Sequence, residues 1–393
     1  MYNEDSFHGT ALSKTIGSIT QKLITLKAKY TKIALYGFGN TGQLIAPYLC
    51  DHLTLIVDKK IENIRIDKTI CTLDDLYKYD FDCIIITLIG REYAVSYDLI
   101  HHFSVPHTKI YTLIGDTPTF KDFFQDIKRE ADFESRICTQ EQLESQVYQD
   151  WAKYFKLAPK QLYRKIWEYC FIAETLKKYD LLRDGIHGLG FAVGEEPLPA
   201  AFCSLGVKIT ATDLNFDEAN KMGWVDTNQH AKNLENLNTK NICSPSTFLK
   251  LCSFQNVNMN NIPDHLRDFD FIWSACALEH LGSLKHGEEF IYNSLKCLKP
   301  GGIAVHTTEY NFSSNDKTIE FGSTVLYRRQ DIEKIVAKLR SEGHIVSEIN
   351  FSGGILEGDQ YIDVPPYNLN NKHLKLIMDK FVITSIGLVI QKK

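Results

Sequence analysis

Twice in this chain an apolar segment runs into a glycine-rich turn, a helix pattern follows, and the next apolar segment closes on an aspartate about twenty residues on. The first instance is "KIALYGFGNTG", with Gly37, Gly39 and Gly42, closed by Asp58. The second is "GIHGLGFAVGEE", with Gly188, Gly190 and Gly194, closed by Asp213. Glycines at such turns permit tight backbone and close ligand approach, and the acid suits ribose hydroxyls. Around each turn, short apolar strands alternate with helices: "LTLIVD", "FDCIIITLI" and "KIYTLIG" after the first, "KITATDLN", "FDFIWSACA" and "IAVHTTEYN" after the second. Alternation of this kind requires a largely parallel sheet covered on both faces.

A chain of 393 residues exceeds what one core holds, so the two turns imply two α/β domains, over 1–130 and 131–393. Between the two alternations, 119–180 reads as helical, with Pro159 dividing "QVYQDWAKYF" from "LYRKIWEYCFIAETLKKYD". A late insertion, "GGILEGDQYIDVPPYNLNNKHLKLIMDKF", precedes a terminal strand "VITSIGLVIQKK". The net charge of −5 gives no basic surface and argues against nucleic acid as a partner. Ten dispersed cysteines without a C-x-x-C pair read as core residues in a reducing cytoplasm. No apolar run reaches the ~18 residues that a membrane helix needs. The first ten residues lack the apolar stretch of a signal peptide, another reason to expect a cytoplasmic protein.

The second glycine turn departs from the phosphate-binding spacing, since no third glycine follows Gly190 at three positions. Such a turn suits an uncharged or cationic adenosyl group. Four segments then occur in order: "ATDLN", "NVNMNNIPDHLRDFDFIWS", "ALEHLG" and "LKCLKPGGIAVHTTE". In that order they resemble the class I S-adenosylmethionine-dependent methyltransferases over about 160–393, and more narrowly methyltransferases among bacterial surface-glycan enzymes. The resemblance implies a class I methyltransferase Rossmann-like sheet, preceded in this chain by a smaller Rossmann-like α/β domain. It also implies S-adenosylmethionine as cofactor. Gly188, Leu189, Gly190 and Phe191 would wrap its methionine part, Asp213 its ribose, Leu214, Asn258 and Met259 its adenine, and Ser274 and Cys276 its sulfonium end. Where the family carries an acid two residues before the first glycine, this chain has Ile186, and Glu196 is the candidate replacement. Trp167 and Glu168, on the helix ahead of the sheet, are candidates to cover the cofactor.

Ligands of open α/β sheets sit beyond the carboxyl ends of the strands, where Glu279 and His280 follow one strand and His306 and Glu309 end the next. A hydroxyl acceptor needs a base near pH 7, which makes His306 and His280 candidates beside the two carboxylates. The alternative is Mg2+ held by Glu279, His280 and Glu309. Arg328 and Arg329 suit a phosphate on a nucleotide-linked substrate, and Asp359 and Tyr361 in the late insertion suit a sugar. The expectation is O-methyl transfer to a sugar or nucleotide-linked sugar for a capsular or other surface polysaccharide, with the first domain available for pairing subunits. The competing expectation is an NAD(P)-dependent oxidoreductase or nucleotide-binding module built on Gly37–Gly42.

Overall fold

A computed structural model describes residues 4–59, 64, 66–89, 91–113, 135–158, 161–221, 230–367 and 372–393. The expected domain boundary at 130 and the break at Pro159 lie outside the described residues. The chain divides into two compact units, a smaller one of Glu4–Phe124 with Ile355–Val382 and a larger one of Gln125–Gly354 with Ile383–Lys393. The expectation was an uninterrupted second domain over 131–393; the late insertion, which carries Asp359 and Tyr361, groups with the first glycine turn's unit.

In the smaller unit, β1 (Ile33–Tyr36), β2 (Leu53–Val57), β3 (Thr69–Cys71), β4 (Cys83–Ile86) and β5 (Ile110–Thr112) form an all-parallel sheet in the order β3-β2-β1-β4-β5. Its core gathers Ala34, Leu55, Ile84, Val95, Leu99 and Ile110. Gly37, at φ 91°, starts the turn into the helix Asn40–Leu49, and a Cβ on Gly42 would lie 2.3 Å from the Gly37 carbonyl oxygen. The Asp58 carboxylate accepts the Phe38 amide at 2.6 Å, which ties the turn to the end of β2.

In the larger unit the strands are β6 (Ser135–Ile137), β7 (His187–Phe191), β8 (Lys208–Asp213), β9 (Cys252–Asn256), β10 (Phe269–Ala275), β11 (Leu298–Asn311) and β12 (Ile349–Asn350). A parallel pair, β13 (Ile362–Asp363) and β14 (Lys375–Met378), lies in the late insertion, and β15 (Phe381–Gln391) ends the chain. The larger sheet runs β12-β6-β15-β11-β10-β7-β8-β9, with β15 antiparallel to β11. Chain order reverses direction between β7 and β10, and the tips of such strands are where open α/β sheets place their ligands. The helical expectation for 119–180 holds for the helices Gln146–Tyr154 and Arg164–Lys178, whereas Ser135–Ile137 is a strand, held between β12 and β15. Three residues carry too little periodicity to be read from sequence alone.

Gly188 and Gly190 lie within β7, facing the aromatic residues of β10. A Cβ on Gly188 would come 2.3 Å from the Phe271 ring, and one on Gly190 would come 2.4 Å from the Trp273 ring. Phe202 meets both rings edge-on, so the layer has no slack. Gly188→Ala is expected to destabilise the larger unit by about 1–3 kcal/mol through overpacking, measured as a lowered midpoint in urea.

Candidate active site

The turn after β7 is Ala192-Val193-Gly194, with Ala192 at φ 47° and Gly194 at φ 50°. A non-glycine residue in the left-handed region is held there by its surroundings. The Val193 amide donates to the Thr212 carbonyl at 3.0 Å, which fastens the turn to β8. Asp213, the last residue of β8, accepts three backbone amides: Gly194 at 3.1 Å, Leu214 at 2.8 Å and Ala231 at 3.0 Å. Burial raises its pKa against the pull of those donors. His230 orders the connection beyond: its Nε2 lies 2.8 Å from the Leu214 carbonyl oxygen, with Phe216 edge-on to the ring.

The sequence placed the cofactor's amino-acid end against Gly188–Phe191. In the structure those residues form the strand itself, and Leu189 and Phe191 are completely buried. The backbone available to a ligand is the turn that follows. Glu196 lies just beyond it, buried, with one carboxyl oxygen 2.5 Å from the Trp273 indole nitrogen, which donates to it. Burial pushes its pKa up to about 8. Met259 is buried. The side-chain oxygen of Asn258 accepts the Asn260 amide at 2.9 Å, which orders the loop after β9.

The strand tips of β10 and β11 carry a buried charged cluster. Its outer members come from the helix Arg164–Lys178. Glu168 is fully buried and pairs with Arg164 at 3.3 Å and Lys165 at 2.9 Å. It also accepts from the Ser385 hydroxyl at 2.6 Å and the Cys276 thiol at 3.0 Å. Arg164 pairs with Glu309 and donates to Ser385 at 3.1 Å. Sequence reasoning missed Arg164 and Lys165. The available signal was three charges clustered at 164, 165 and 168 in the first turns of the helix. Trp167 is corrected as a cofactor cover: it is completely buried, stacked on Phe171, and donates to the Gln142 side chain at 2.8 Å.

Glu279 receives the Thr308 hydroxyl at 3.0 Å on one oxygen, while its other oxygen is buried without a hydrogen-bond partner. One oxygen of Glu309 is in the same state. Burial pushes the Glu279 carboxyl up to about 7 and raises that of Glu309 against the pull of Arg164. His280 lies beside Glu279, with Nε2 3.9 Å from its unpartnered oxygen and Nδ1 2.8 Å from the Ser323 carbonyl oxygen. That carbonyl accepts the Nδ1 proton, leaving the lone pair of the neutral ring on Nε2.

His306 is corrected as a candidate base. Its Nδ1 lies 2.8 Å from the buried Ser274 hydroxyl, and its ring packs edge-on against Phe290. Burial holds its pKa down at about 3. Strand alternation puts residues 306 and 309 on opposite faces of β11, so His306 lies in the core layer under the helix Leu284–Ser294. Ser274, its partner, is likewise buried.

Among the described residues, the Cys276 sulfur and one carboxylate oxygen each of Glu279 and Glu309 lie within 4.8 Å of one another. The set does not fit Mg2+, which takes oxygen ligands and retains waters. One donor is a thiol whose pKa is raised well above its ordinary value by burial and by Glu168, and Glu309 already pairs with Arg164. The arginines near 328 are also spoken for. Arg328 pairs with Asp331 and Glu320 and donates to the Asp316 carbonyl, all at the start of the helix Arg329–Ser341. Arg329 pairs with Glu333 and lies over the Phe351 ring. In the smaller unit, the Asp359 carboxylate accepts the Leu356 amide at 3.1 Å, a turn-capping role, and Tyr361 faces Lys372.

No protein-family model matches the chain, and no curated relative does. Solved structures do match it. A SAM-dependent methyltransferase from Aquifex aeolicus is 15% identical, over 56% of this chain and 89% of that one, with a TM-score of 0.30. An S-adenosylmethionine-dependent methyltransferase from Clostridium acetobutylicum is 15% identical over 62% and 98%, with a TM-score of 0.35. The 1,6-didemethyltoxoflavin-N1-methyltransferase of Burkholderia thailandensis, solved with S-adenosylhomocysteine, is 12% identical over 56% and 77%, with a TM-score of 0.35. At these values the likenesses carry no argument of their own. The fold class rests on the sheet: an α/β Rossmann-like sheet whose order from β9 to β11, closed by antiparallel β15, is the one expected of a class I methyltransferase. Among the described residues, no helix is long and apolar enough to cross a membrane.

Proposed function

We propose that the larger unit is an S-adenosylmethionine-dependent methyltransferase that modifies a hydroxyl group, with a sugar as the acceptor class. The observation that carries the cofactor assignment is Asp213. It ends β8 beside the reversal of strand order, and the turn after β7 is fastened to its carboxylate. Each carboxylate oxygen has two lone pairs, and Oδ1 accepts only one backbone amide, so a ribose hydroxyl has a place to donate. Bound there, the cofactor supplies an electrophilic methyl group.

The chain's own residues then align and deprotonate the acceptor. With the cofactor supplying the methyl group, Glu279 would take the proton of the acceptor hydroxyl. A carboxyl with a pKa near 7 suits this role, since an ordinary glutamate is a weaker base. Glu309, held by Arg164, offers the second acceptor atom for a hydroxylated ring. Both unpartnered oxygens are sealed from bulk water in this conformation, so entry of an acceptor requires the surrounding side chains to part. A phosphate-gripping role for Arg328 loses support because Asp331, Glu320 and the Asp316 carbonyl engage its guanidinium.

Calorimetric titration with S-adenosylhomocysteine tests the cofactor assignment, and saturable one-site binding is expected. A panel of sugars and nucleotide-sugars with methyl-labelled cofactor, run with and without EDTA, tests the acceptor class. Label transferred only to amines would rule out a hydroxyl acceptor. Label lost on adding EDTA would rule out deprotonation by Glu279 without a metal.

A further inference from the structure

The amino-acid end of an adenosyl-methionine cofactor carries an α-ammonium and an α-carboxylate, and a site that excludes water must meet both charges. Glu196 is a buried acid two residues beyond the turn after β7. The carboxylate needs a cation, and the structure supplies one. β7 and β10 are adjacent parallel strands with Phe191 opposite Ser274, so Ala192 and Ala275 each follow the last paired residues at the strand tips. Lys165, from the helix Arg164–Lys178, reaches this point: its Nζ is 3.5 Å from the Ala275 carbonyl oxygen and 2.9 Å from Glu168. Its charge also acts on the Glu196 carboxyl, against the effect of burial there.

The neighbouring cation is a poorer candidate. Arg164 is committed to Glu309, Glu168 and Ser385, and its side chain is 13% exposed. The Lys165 side chain is 28% exposed. An ammonium has three donors; Lys165 pairs with Glu168 as an ion pair and gives the Ala275 carbonyl one long hydrogen bond. Donor capacity therefore remains for a ligand.

We infer that Lys165 binds the α-carboxylate of the cofactor, so that Lys165 and Glu196 together recognise its amino-acid end as a zwitterion. This rests on the methyltransferase reading of the same cleft. It also accounts for a lysine beside a buried glutamate already paired with an arginine: Glu168 holds the ammonium in place when the cleft is empty, and the ligand carboxylate joins it on binding.

The test is calorimetry on the full chain with two probes, S-adenosylhomocysteine and 5′-methylthioadenosine, which keeps the adenosine and sulfur but lacks the amino acid. Lys165→Ala is expected to weaken S-adenosylhomocysteine binding by about 10- to 100-fold, the range for a lost charge-assisted hydrogen bond. Affinity for 5′-methylthioadenosine should stay within about twofold, which also shows that the variant is folded. Lys165→Arg should restore most of the loss, and Lys165→Gln should not. Equal losses for both probes, or no loss for either, would overturn the inference while leaving the methyltransferase reading intact. Failure of the unmodified chain to bind either probe would overturn that reading, and this inference with it.

Discussion

Glu279→Gln is expected to lower turnover by about 10²- to 10⁴-fold, the usual contribution of a positioned general base, and to leave S-adenosylhomocysteine affinity within about twofold. The amide keeps the shape and the contact with Thr308 but accepts no proton. The pH profile gives the second signature. Burial raises the Glu279 pKa to about 7, so the basic form is scarce below that pH and dominant above it. Turnover should therefore climb with pH up to about 7 and then level, and the variant should lose that climb. A profile that keeps its rise in Glu279→Gln would move the base elsewhere, with His280 next in line because its Nδ1 is fixed by the Ser323 carbonyl.

Asp213→Ala should reduce S-adenosylhomocysteine binding by more than about 100-fold in calorimetry, a larger loss than ribose contacts alone explain. The carboxylate joins Gly194 of the turn, Leu214 after β8 and Ala231 from the distant connection. Its removal leaves three backbone donors without their acceptor, each costing about 1–3 kcal/mol where buried. The turn and the 230–231 segment should then lose their common anchor. Amide hydrogen exchange at Gly194 and Ala231 should rise in the variant. Binding that survived within tenfold, about 1.4 kcal/mol, would show that the cofactor does not rest on this carboxylate.

Much of the larger unit is legible in the sequence. The strand and helix alternation, the acid closing β8, and the carboxylates at the ends of β10 and β11 all follow from local pattern, because periodicity and turn chemistry act over a few residues. The histidines show where that legibility stops. His280 and His306 both look available in sequence near strand ends, one directly beside Glu279 and the other three residues before Glu309. Their fates differ because His306 falls on the face of β11 that the helix Leu284–Ser294 covers, where Ser274 and Phe290 enclose it. Nothing in the local sequence tells a strand which face will be covered. Arg164 and Lys165 escape notice for the opposite reason. Arg164 precedes its partners Cys276 and Glu309 by more than a hundred positions, and only packing of that helix across the strand tips joins them.

By itself, the amino-acid order determined the class of architecture, the two glycine turns and the acids that answer them, since each depends on neighbours in the chain. The tertiary structure decided which charges are buried together, which imidazole stays in the core, and that the insertion 355–382 belongs to the smaller unit. Those outcomes depend on long-range packing, where burial can move a glutamate to about pH 7 or a histidine to about pH 3. Environment, not residue type, assigns the chemistry.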